Sequence, residues 1–232
     1  MQFKNDLARG LKIEIDDVQE NQFELYYEFL IEYNKITNLT RITEKDEVYY
    51  KHFYDSLTMA SSLNMNDVQS ICDMGSGAGF PSIPLKIIYP HLQITIVDSL
   101  NKRIVFLKKL IEKLDLNNVT LVHDRVEHYA LDHQQQFDIV TARALGNLSL
   151  ISEMGIPMTK MNGRFIALKG INYELELLES SQTLDILGSK VEEIKKYDLP
   201  YEFGTRYHII IKKNKHIKGY PRHFSIMSKK PL

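Results

Sequence analysis

The feature that most constrains this chain is a glycine-rich loop set between two apolar runs. Residues 73–80 read Asp-Met-Gly-Ser-Gly-Ala-Gly-Phe. They follow residues 68–74, which predict a buried strand, and precede residues 83–89, which predict a helix. A second predicted strand, residues 94–98, ends at Asp98, where a carboxylate can accept hydrogen bonds from both hydroxyls of a ribose. Because the backbone of a loop without Cβ atoms can approach a ligand closely, the pattern predicts a Rossmann-like nucleoside site.

The spacing of the glycines bears on which nucleoside the loop would hold. Loops that bind dinucleotides usually run Gly-x-Gly-x-x-Gly, whereas Gly75, Gly77 and Gly79 run Gly-x-Gly-x-Gly, with Asp73 two residues before them. S-adenosylmethionine carries a cationic amino-acid tail and no phosphate, so a carboxylate suits it and would repel a pyrophosphate. The loop therefore favours S-adenosylmethionine, with NAD as the alternative. By itself it is also compatible with a plain turn.

The composition describes a globular chain. With 232 residues, 44% of them hydrophobic and 25% charged, the chain can bury one full core. No apolar run reaches the roughly 18 residues of a membrane span, and the first residues lack the pattern of a signal peptide. The one cysteine, Cys72, cannot form an internal disulfide and falls in a predicted buried strand. We therefore expect a cytoplasmic monomer without a membrane partner.

The charge is distributed unevenly along the chain. Residues 206–232 contain eight Lys or Arg residues and no acid, which leaves 21 basic against 30 acidic residues in the rest of the chain. Within this stretch, residues 214–232 form a predicted basic tail with Tyr220 and Phe224 among the charges. Such a tail suits contact with phosphates and stacked bases, and a solvated tail without a partner is the alternative.

The chain divides by pattern into a cap, a sheet domain and that tail. Residues 1–66 have no proline and no glycine after Gly10, and their apolar residues have helical spacing, which predicts a helical cap. Residues 67–213 alternate apolar runs with helical patterns, so the predicted fold class is α/β with a doubly wound, mostly parallel sheet. The last two runs, 191–194 and 208–212, leave no room for a long crossover and predict an antiparallel pair. Further strands are predicted at 119–123, 137–141 and 165–168, and further helices at 45–63 and 100–114.

Charged residues near the ends of the predicted strands are the candidates for chemistry, because ligands of an open α/β sheet bind beyond the carboxyl ends of its strands. Arg143 and Lys169 end apolar strands, where a charge needs an anionic partner or an opening onto the cleft. Lys102 and Arg103 lie on the helix after Asp98 and are either a solvated helix face or contacts to an anionic substrate.

Metal and serine-hydrolase chemistry have no support in the sequence. His123, His128 and His133 recur every five residues, which is not the spacing of a zinc pair on a helix, so we expect no metal. The only Gly-Ser-Gly is the loop already described and lacks the Gly-x-Ser-x-Gly pattern of a nucleophile elbow.

Several longer strings narrow the family. They include Asp98-Ser-Leu-Asn-Lys-Arg103 and Gly79-Phe-Pro-Ser-Ile-Pro-Leu85, which are far more specific than a glycine pattern. At these and further strings the chain resembles the small-subunit rRNA (guanine-N7) methyltransferases, also called glucose-inhibited division protein B, nearly from end to end. The further strings are Asn38-Leu-Thr40, His52-Phe-Tyr-Asp55-Ser56, Arg125-Val-Glu127, Ala142-Arg143-Ala144, Leu168-Lys-Gly170 and Tyr220-Pro-Arg222.

This resemblance implies a class I methyltransferase fold with a seven-stranded sheet, S-adenosylmethionine as cofactor and 16S rRNA of the small ribosomal subunit as substrate. The target would be N7 of one guanine near the decoding centre. N7 carries an in-plane lone pair that can attack the sulfonium methyl without prior removal of a proton, so positioning can supply most of the rate effect. No catalytic acid or base is therefore expected. An NAD-dependent oxidoreductase and a non-catalytic rRNA-binding assembly factor remain as alternatives.

The resemblance, together with the loop and Asp98, also implies a set of site residues. The expected cofactor-binding residues are Asp73, Gly75, Gly77, Gly79, Phe80, Asp98, Val126, Glu127 and Arg143. The expected substrate-binding residues are Lys102, Arg103, Arg125, Arg143, Lys169 and Arg222.

Overall fold

The chain begins with two helices that form the first part of the cap. The computed structural model describes residues 2–232, so residue 1, the start of the predicted cap, lies outside the described residues. Helix α1 spans Gln2–Gly10 and α2 spans Asp17–Thr37. Asp16 caps α2 in a capping box, in which its side chain accepts from the backbone N–H of Gln19 and the Gln19 side chain accepts from the backbone of Asp16.

The helix predicted at 45–63 is present, but it is not one regular α-helix. It begins as α3 (Lys45–Val48), widens into a π-helical turn (Tyr49–Tyr54), continues as α4 (Asp55–Leu57) and ends in a 3₁₀ turn (Thr58–Ser61). Such π-helical turns occur often beside functional sites. Here the turn contains His52, which lines one of the two cavities of the candidate site.

A seven-stranded sheet forms the centre of the protein, with strand order β3-β2-β1-β4-β5-β7-β6. The first five strands run parallel, and β7 pairs antiparallel with both β5 and β6. The predicted mostly parallel sheet with an antiparallel final pair is therefore confirmed. The strands are β1 (Ser70–Met74), β2 (Gln93–Asp98), β3 (Val119–His123), β4 (Phe137–Arg143), β5 (Thr159–Lys169), β6 (Ser189–Asp198) and β7 (Thr205–Lys213).

Helices follow the strands and cover both faces of the sheet, as the parallel connections require. No helix among residues 2–232 is long and apolar enough to cross a membrane. The helices that follow the cap are α5 (Ser82–Ile88), α6 (Asn101–Lys113), α7 (Val126–Asp132), α8 (Leu148–Met158), α9 (Tyr173–Ile186) and the short α10 (Phe224–Lys229).

Two buried apolar clusters hold these layers together. In the larger cluster the cap aromatics Phe23 and Phe53 pack with sheet and helix residues such as Ile71 and Phe106. The smaller cluster lies around α8 and includes Cys72, whose burial raises the pKa of its thiol. The cap therefore shares its core with the sheet, and burial of apolar surface stabilises both together.

Candidate functional site

The glycine-rich loop leaves β1 where the order of the strands reverses, because β2 lies on one side of β1 and β4 on the other. A crevice opens at such a point beyond the carboxyl ends of the strands. Gly75 has a φ of +68°, and a Cβ there would lie 2.6 Å from Cδ1 of Leu145. Gly79 has a φ of +101°, and a Cβ there would lie 2.7 Å from the hydroxyl of Tyr26. Both positive φ values favour glycine, and at Gly79 the buried, hydrogen-bonded Tyr26 also leaves no space for a side chain.

The cap holds this loop in place through Tyr26 of α2. Its hydroxyl donates to the carbonyl of Ala78 over 2.5 Å, and its ring stacks on Phe80 with 5.4 Å between centroids and 13° between planes. Tyr26 is completely buried, and burial raises the pKa of its hydroxyl well above the usual range. The loop is thus fixed from two directions, by β1 and by the cap.

Asp73 lies behind the loop as a buried carboxylate with one free oxygen. Its Oδ2 accepts from the hydroxyl of Ser82 over 2.6 Å and from the Ser82 backbone N–H over 3.3 Å. Oδ1 has no hydrogen-bond partner among the described residues. Burial raises the pKa of Asp73 to about 7, against the effect of the Ser82 hydrogen bonds. A buried carboxylate with an unpartnered oxygen suits a cationic ligand.

Asp98 ends β2 and faces the same crevice. Its Oδ1 accepts from the backbone N–H of Leu100 over 2.9 Å, and its Oδ2 accepts from that of Gly77 over 3.3 Å. Arg103, expected to bind substrate, donates to Oδ2 of Asp98 over 3.1 Å. Its charge offsets a carboxylate that is only 2% exposed.

A cavity of about 210 Å³ opens between the glycine loop and the ends of β2 and β4. We call it the first cavity. At its rim the guanidinium of Arg125 donates to Glu127 and lies 4.5 Å from the centre of the Phe224 ring. The first cavity is lined by Gly75, Val97, Asp98, Ser99, Arg103, Arg125, Val126, Glu127, Leu145, Leu150, Met154 and Phe224.

A second cavity, of about 440 Å³, lies on the other side of the segment after β4. Leu145 of this segment lines the first cavity, whereas its neighbours Ala144 and Gly146 line the second. The two cavities are therefore neighbours on either side of residues 144–146. The second cavity is lined by Lys51, His52, Asp55, Arg143, Ala144, Gly146, Leu168, Lys169, Gly170, Glu176 and Arg206.

The ring of Phe80, at the end of the glycine loop, contacts two residues that line the second cavity. The imidazole of His52 stacks on its ring at 4.5 Å, and the guanidinium carbon of Arg143 lies 5.0 Å from the ring centre. Burial, together with the positive charge of Arg143, lowers the pKa of His52 to about 3. His52 is therefore neutral near pH 7.

The charges of the second cavity are arranged in pairs. Arg143 donates to Oδ2 of Asp55 over 3.1 Å, and Nε of Arg206 lies 3.3 Å from the same oxygen. Lys169 donates to Glu176 over 2.6 Å and to the carbonyl of Gly146 over 2.7 Å. Two guanidinium groups thus share one buried carboxylate, which leaves the cavity with an excess of positive charge.

The remaining expected substrate residues lie apart from the second cavity. Lys102 is exposed and donates to the carbonyl of Thr37, and Arg125 lines the first cavity. Arg222 donates to the buried carboxylate of Glu153. The structure thus brings Arg143 and Lys169 together at the second cavity, and Arg103 and Arg125 together at the first.

Sequence reasoning assigned no role to several residues that build the two cavities. Lys51 lies in the cap, where no local pattern indicates a role. Arg206 begins the basic run 206–232 and lies near the start of the antiparallel strand β7, and only the strand pairing places it near Lys169 at the end of β5. His52 and Asp55 stood within a string shared with a known family, which was the one available signal. Phe224 lies within the basic stretch 214–232, and this position in the sequence gives no indication that it lines the first cavity.

Comparisons with known proteins agree with this geometry. A family model described as rRNA small subunit methyltransferase G matches residues 19–202. "Ribosomal RNA small subunit methyltransferase G" of Macrococcus caseolyticus is 51% identical over 221 residues, which cover 94% of this chain and 93% of that protein. The protein of the same name from Bacillus subtilis is 49% identical over 223 residues, which cover 95% of this chain and 93% of that protein.

The fold is also that of solved structures with little sequence likeness. A mutant of MtNAS in complex with S-adenosylmethionine superposes with a TM-score of 0.58 at 17% identity, covering 85% of this chain and 73% of that one. Among residues 2–232 no group of three or more His, Cys, Asp or Glu side chains could hold a metal ion. The family model and the curated relatives each span most of the sequence, and the chain therefore belongs to the rRNA small subunit methyltransferase G family.

Proposed function

We propose that this protein transfers the methyl group of S-adenosylmethionine to N7 of one guanine of 16S rRNA near the decoding centre. Its family makes it a methyltransferase of small-subunit rRNA with S-adenosylmethionine as methyl donor. The atom and the nucleotide are the further content of the proposal. The observation that carries it is that two cavities lie on either side of residues 144–146. One is beside the glycine loop and the other is rich in basic groups.

The first cavity fits S-adenosylmethionine. Gly75 lets the backbone approach a ligand where a Cβ would collide with Leu145. Asp98 would accept from the ribose hydroxyls, with Val126 and Glu127 beside the base. Asp73 is buried behind the loop and does not line the cavity, so its carboxylate would attract the cationic amino-acid end of the cofactor only through space. When bound, the cofactor supplies an electrophilic methyl group on its sulfonium.

The second cavity fits a nucleotide of an RNA strand. Four cations line it, and because Lys51 pairs with Glu47 and Lys169 with Glu176, its excess positive charge comes from the two guanidinium groups that share Asp55. Phosphate groups would neutralise this charge on binding. His52 lines the cavity with one face of its ring stacked on the buried Phe80, so the other face is the flat surface offered to a base. These residues would hold the target base so that its reacting atom faces the wall shared with the first cavity.

The electrostatics of the second cavity support an atom that reacts through a free lone pair. Its two acids among the described residues, Asp55 and Glu176, are each paired with a cation. His52 has a pKa of about 3 and is therefore a weak base. A target atom that first had to lose a proton would find little help here, whereas N7 of guanine needs only orientation.

The location and state of the protein follow from the proposed substrate. We place the protein in the cytoplasm, with the ribosomal subunits, and expect it to act as a monomer. The names of the relatives, which are methyltransferases, argue against an NAD-dependent oxidoreductase and a non-catalytic assembly factor.

The test is methyl transfer followed by location of the product. Radiolabelled S-adenosylmethionine is incubated with the protein and either small ribosomal subunits or naked 16S rRNA, and borohydride and aniline then cleave the RNA at N7-methylguanine. A single cleavage site in labelled RNA is the expected result. Label without cleavage would overturn N7 as the target, and label at several sites would overturn the single-guanine assignment.

A further inference from the structure

The segment Tyr220–Leu232, predicted from its charge to be a basic tail, is docked on the sheet domain. We call it the docked segment. Its Arg222 donates to Glu153 of α8 through the backbone N–H at 3.0 Å and through two guanidinium nitrogens at 2.7 Å each. Its Met227 is 1% exposed within the smaller core cluster. The hydroxyl of Thr183 in α9 donates to the carbonyl of Leu232 over 2.7 Å.

The ion pair between Arg222 and Glu153 fixes the start of α10. Glu153 is only 1% exposed, and Arg222 provides its three hydrogen bonds from the docked segment. A buried carboxylate without a cation is strongly unfavourable, so the docked position of the segment is energetically tied to α8. The same helix α8 contributes Leu150 and Met154 to the first cavity.

This anchoring puts Phe224, the first residue of α10, at the first cavity. Its ring lines the cavity together with Asp98 and Val126, although about 100 residues separate it from them in sequence. On another side the ring is covered by the guanidinium of Arg125, 4.5 Å from its centre. Arg125 is in turn held by Glu127, so the ring has a defined neighbour and a defined orientation.

We propose that the docked segment is the outer wall of the cofactor cavity and that Phe224 is a cofactor-binding residue, which packs its ring against the adenine of S-adenosylmethionine. Adenine is the aromatic part of the cofactor, and an aromatic side chain gains most from a flat partner. Arg222 acts as a positioning residue through Glu153 and lines neither cavity. The proposal concerns cofactor binding alone and does not depend on which rRNA atom is methylated.

A tryptophan probe tests the contact directly, because the sequence contains no tryptophan. Phe224→Trp introduces a single indole at the cavity, and its fluorescence should change saturably on titration with S-adenosylhomocysteine. The matched control is Ile226→Trp on the same short helix, where the side chain is 49% exposed and lines neither cavity. It should show no saturable change. Equal responses from both variants, or none at position 224, would overturn the contact.

Calorimetric titration of S-adenosylhomocysteine measures the size of the effect. Phe224→Ala should raise the dissociation constant roughly tenfold, as loss of a base-stacking ring does elsewhere. Phe224→Leu keeps apolar packing but removes the flat ring, and should fall between wild type and the alanine variant. Dissociation constants within twofold of wild type for both variants would refute the proposal that Phe224 forms a wall of the cofactor cavity. Arg222→Ala should weaken binding as well, and unchanged affinity there would refute the positioning role of the ion pair.

Discussion

Arg143 at the end of β4 donates to Asp55 of α4 over 3.1 Å, and the two residues are 88 positions apart in the sequence. The side chain of Asp55 is 4% exposed and that of Arg143 is 17% exposed, so the pair is largely desolvated. Through this pair the cap and the sheet meet at the second cavity. The carboxylate of Asp55 also lies 3.3 Å from Arg206, which makes Asp55 the centre of the charges there.

Replacement of Arg143 should therefore cost both stability and activity. Arg143→Ala leaves a buried carboxylate with one cation fewer, and we expect a loss of about 3 kcal/mol in the free energy of unfolding. Methyl transfer to small ribosomal subunits should fall on the order of 100-fold, because the second cavity loses a positioning group. Urea unfolding and initial rates measure the two effects. Arg206→Ala, which keeps the 3.1 Å pair, is the control and should destabilise less; equal losses in the two variants would contradict this account.

Asp73 should make the stability of the protein depend on pH. Its folded pKa is raised to about 7 by burial, whereas an unfolded aspartate titrates near about 3.9. A raised folded pKa stabilises the fold below the unfolded pKa, and that contribution is lost as the pH rises through about 7. Asp73→Asn cannot ionise, so it should match wild type near about pH 4 and exceed it near about pH 8 by at most about 4 kcal/mol.

Urea unfolding across this pH range without cofactor provides the measurement. The quantity to follow is the difference in unfolding free energy between Asp73→Asn and wild type. A matched change at the exposed Asp132, Asp132→Asn, controls for the loss of one carboxylate. A difference that stays constant from about pH 4 to about pH 8 would show that the pKa of Asp73 is not raised by folding.

The fold could be predicted because local patterns carry it. Each apolar run that predicted a strand, from 68–74 to 208–212, overlaps a strand of the sheet. The site was predictable only where it lies on such elements, as for Gly75 and Asp98. Contacts between distant elements left no local signature, as with Asp55 and Arg143.

The ion pair of Arg222 is another contact between distant parts of the chain that a local sequence pattern does not predict. A run of basic residues predicts contact with phosphates. Whether one of these residues instead forms an ion pair with an acid elsewhere in the chain depends on tertiary packing. One signal was present, since Glu153 is the only charged residue in the apolar helix α8. A buried acid in such a helix requires a cation from another part of the chain.

The glycine loop should tolerate a side chain at one position better than at another. Gly75→Ala brings a Cβ to within 2.6 Å of Leu145 and should weaken binding of S-adenosylhomocysteine at least tenfold. Gly77 has a similar φ of +63° but open space around its Cβ. Gly77→Ala should therefore lower the free energy of unfolding by the roughly 1–2 kcal/mol of a left-handed alanine and should weaken binding less than Gly75→Ala does. Calorimetric titration compares the affinities of the two variants. If the collision is the cause, adding Leu145→Ala to Gly75→Ala should restore part of the affinity; no recovery would exclude it.

Arg206 should bind RNA rather than cofactor, since it lines the second cavity and not the first. Arg206→Ala should weaken binding of a 16S rRNA fragment and reduce the slope of log Kd against log salt by about 1, the change expected for one lost phosphate contact. Affinity for S-adenosylhomocysteine should stay within about twofold of wild type, a difference of less than about 0.5 kcal/mol. Lys108→Ala removes one positive charge from the exposed face of α6 and is the matched control. If both variants change the slope equally, the effect is one of net charge, and the second cavity does not receive the phosphate backbone.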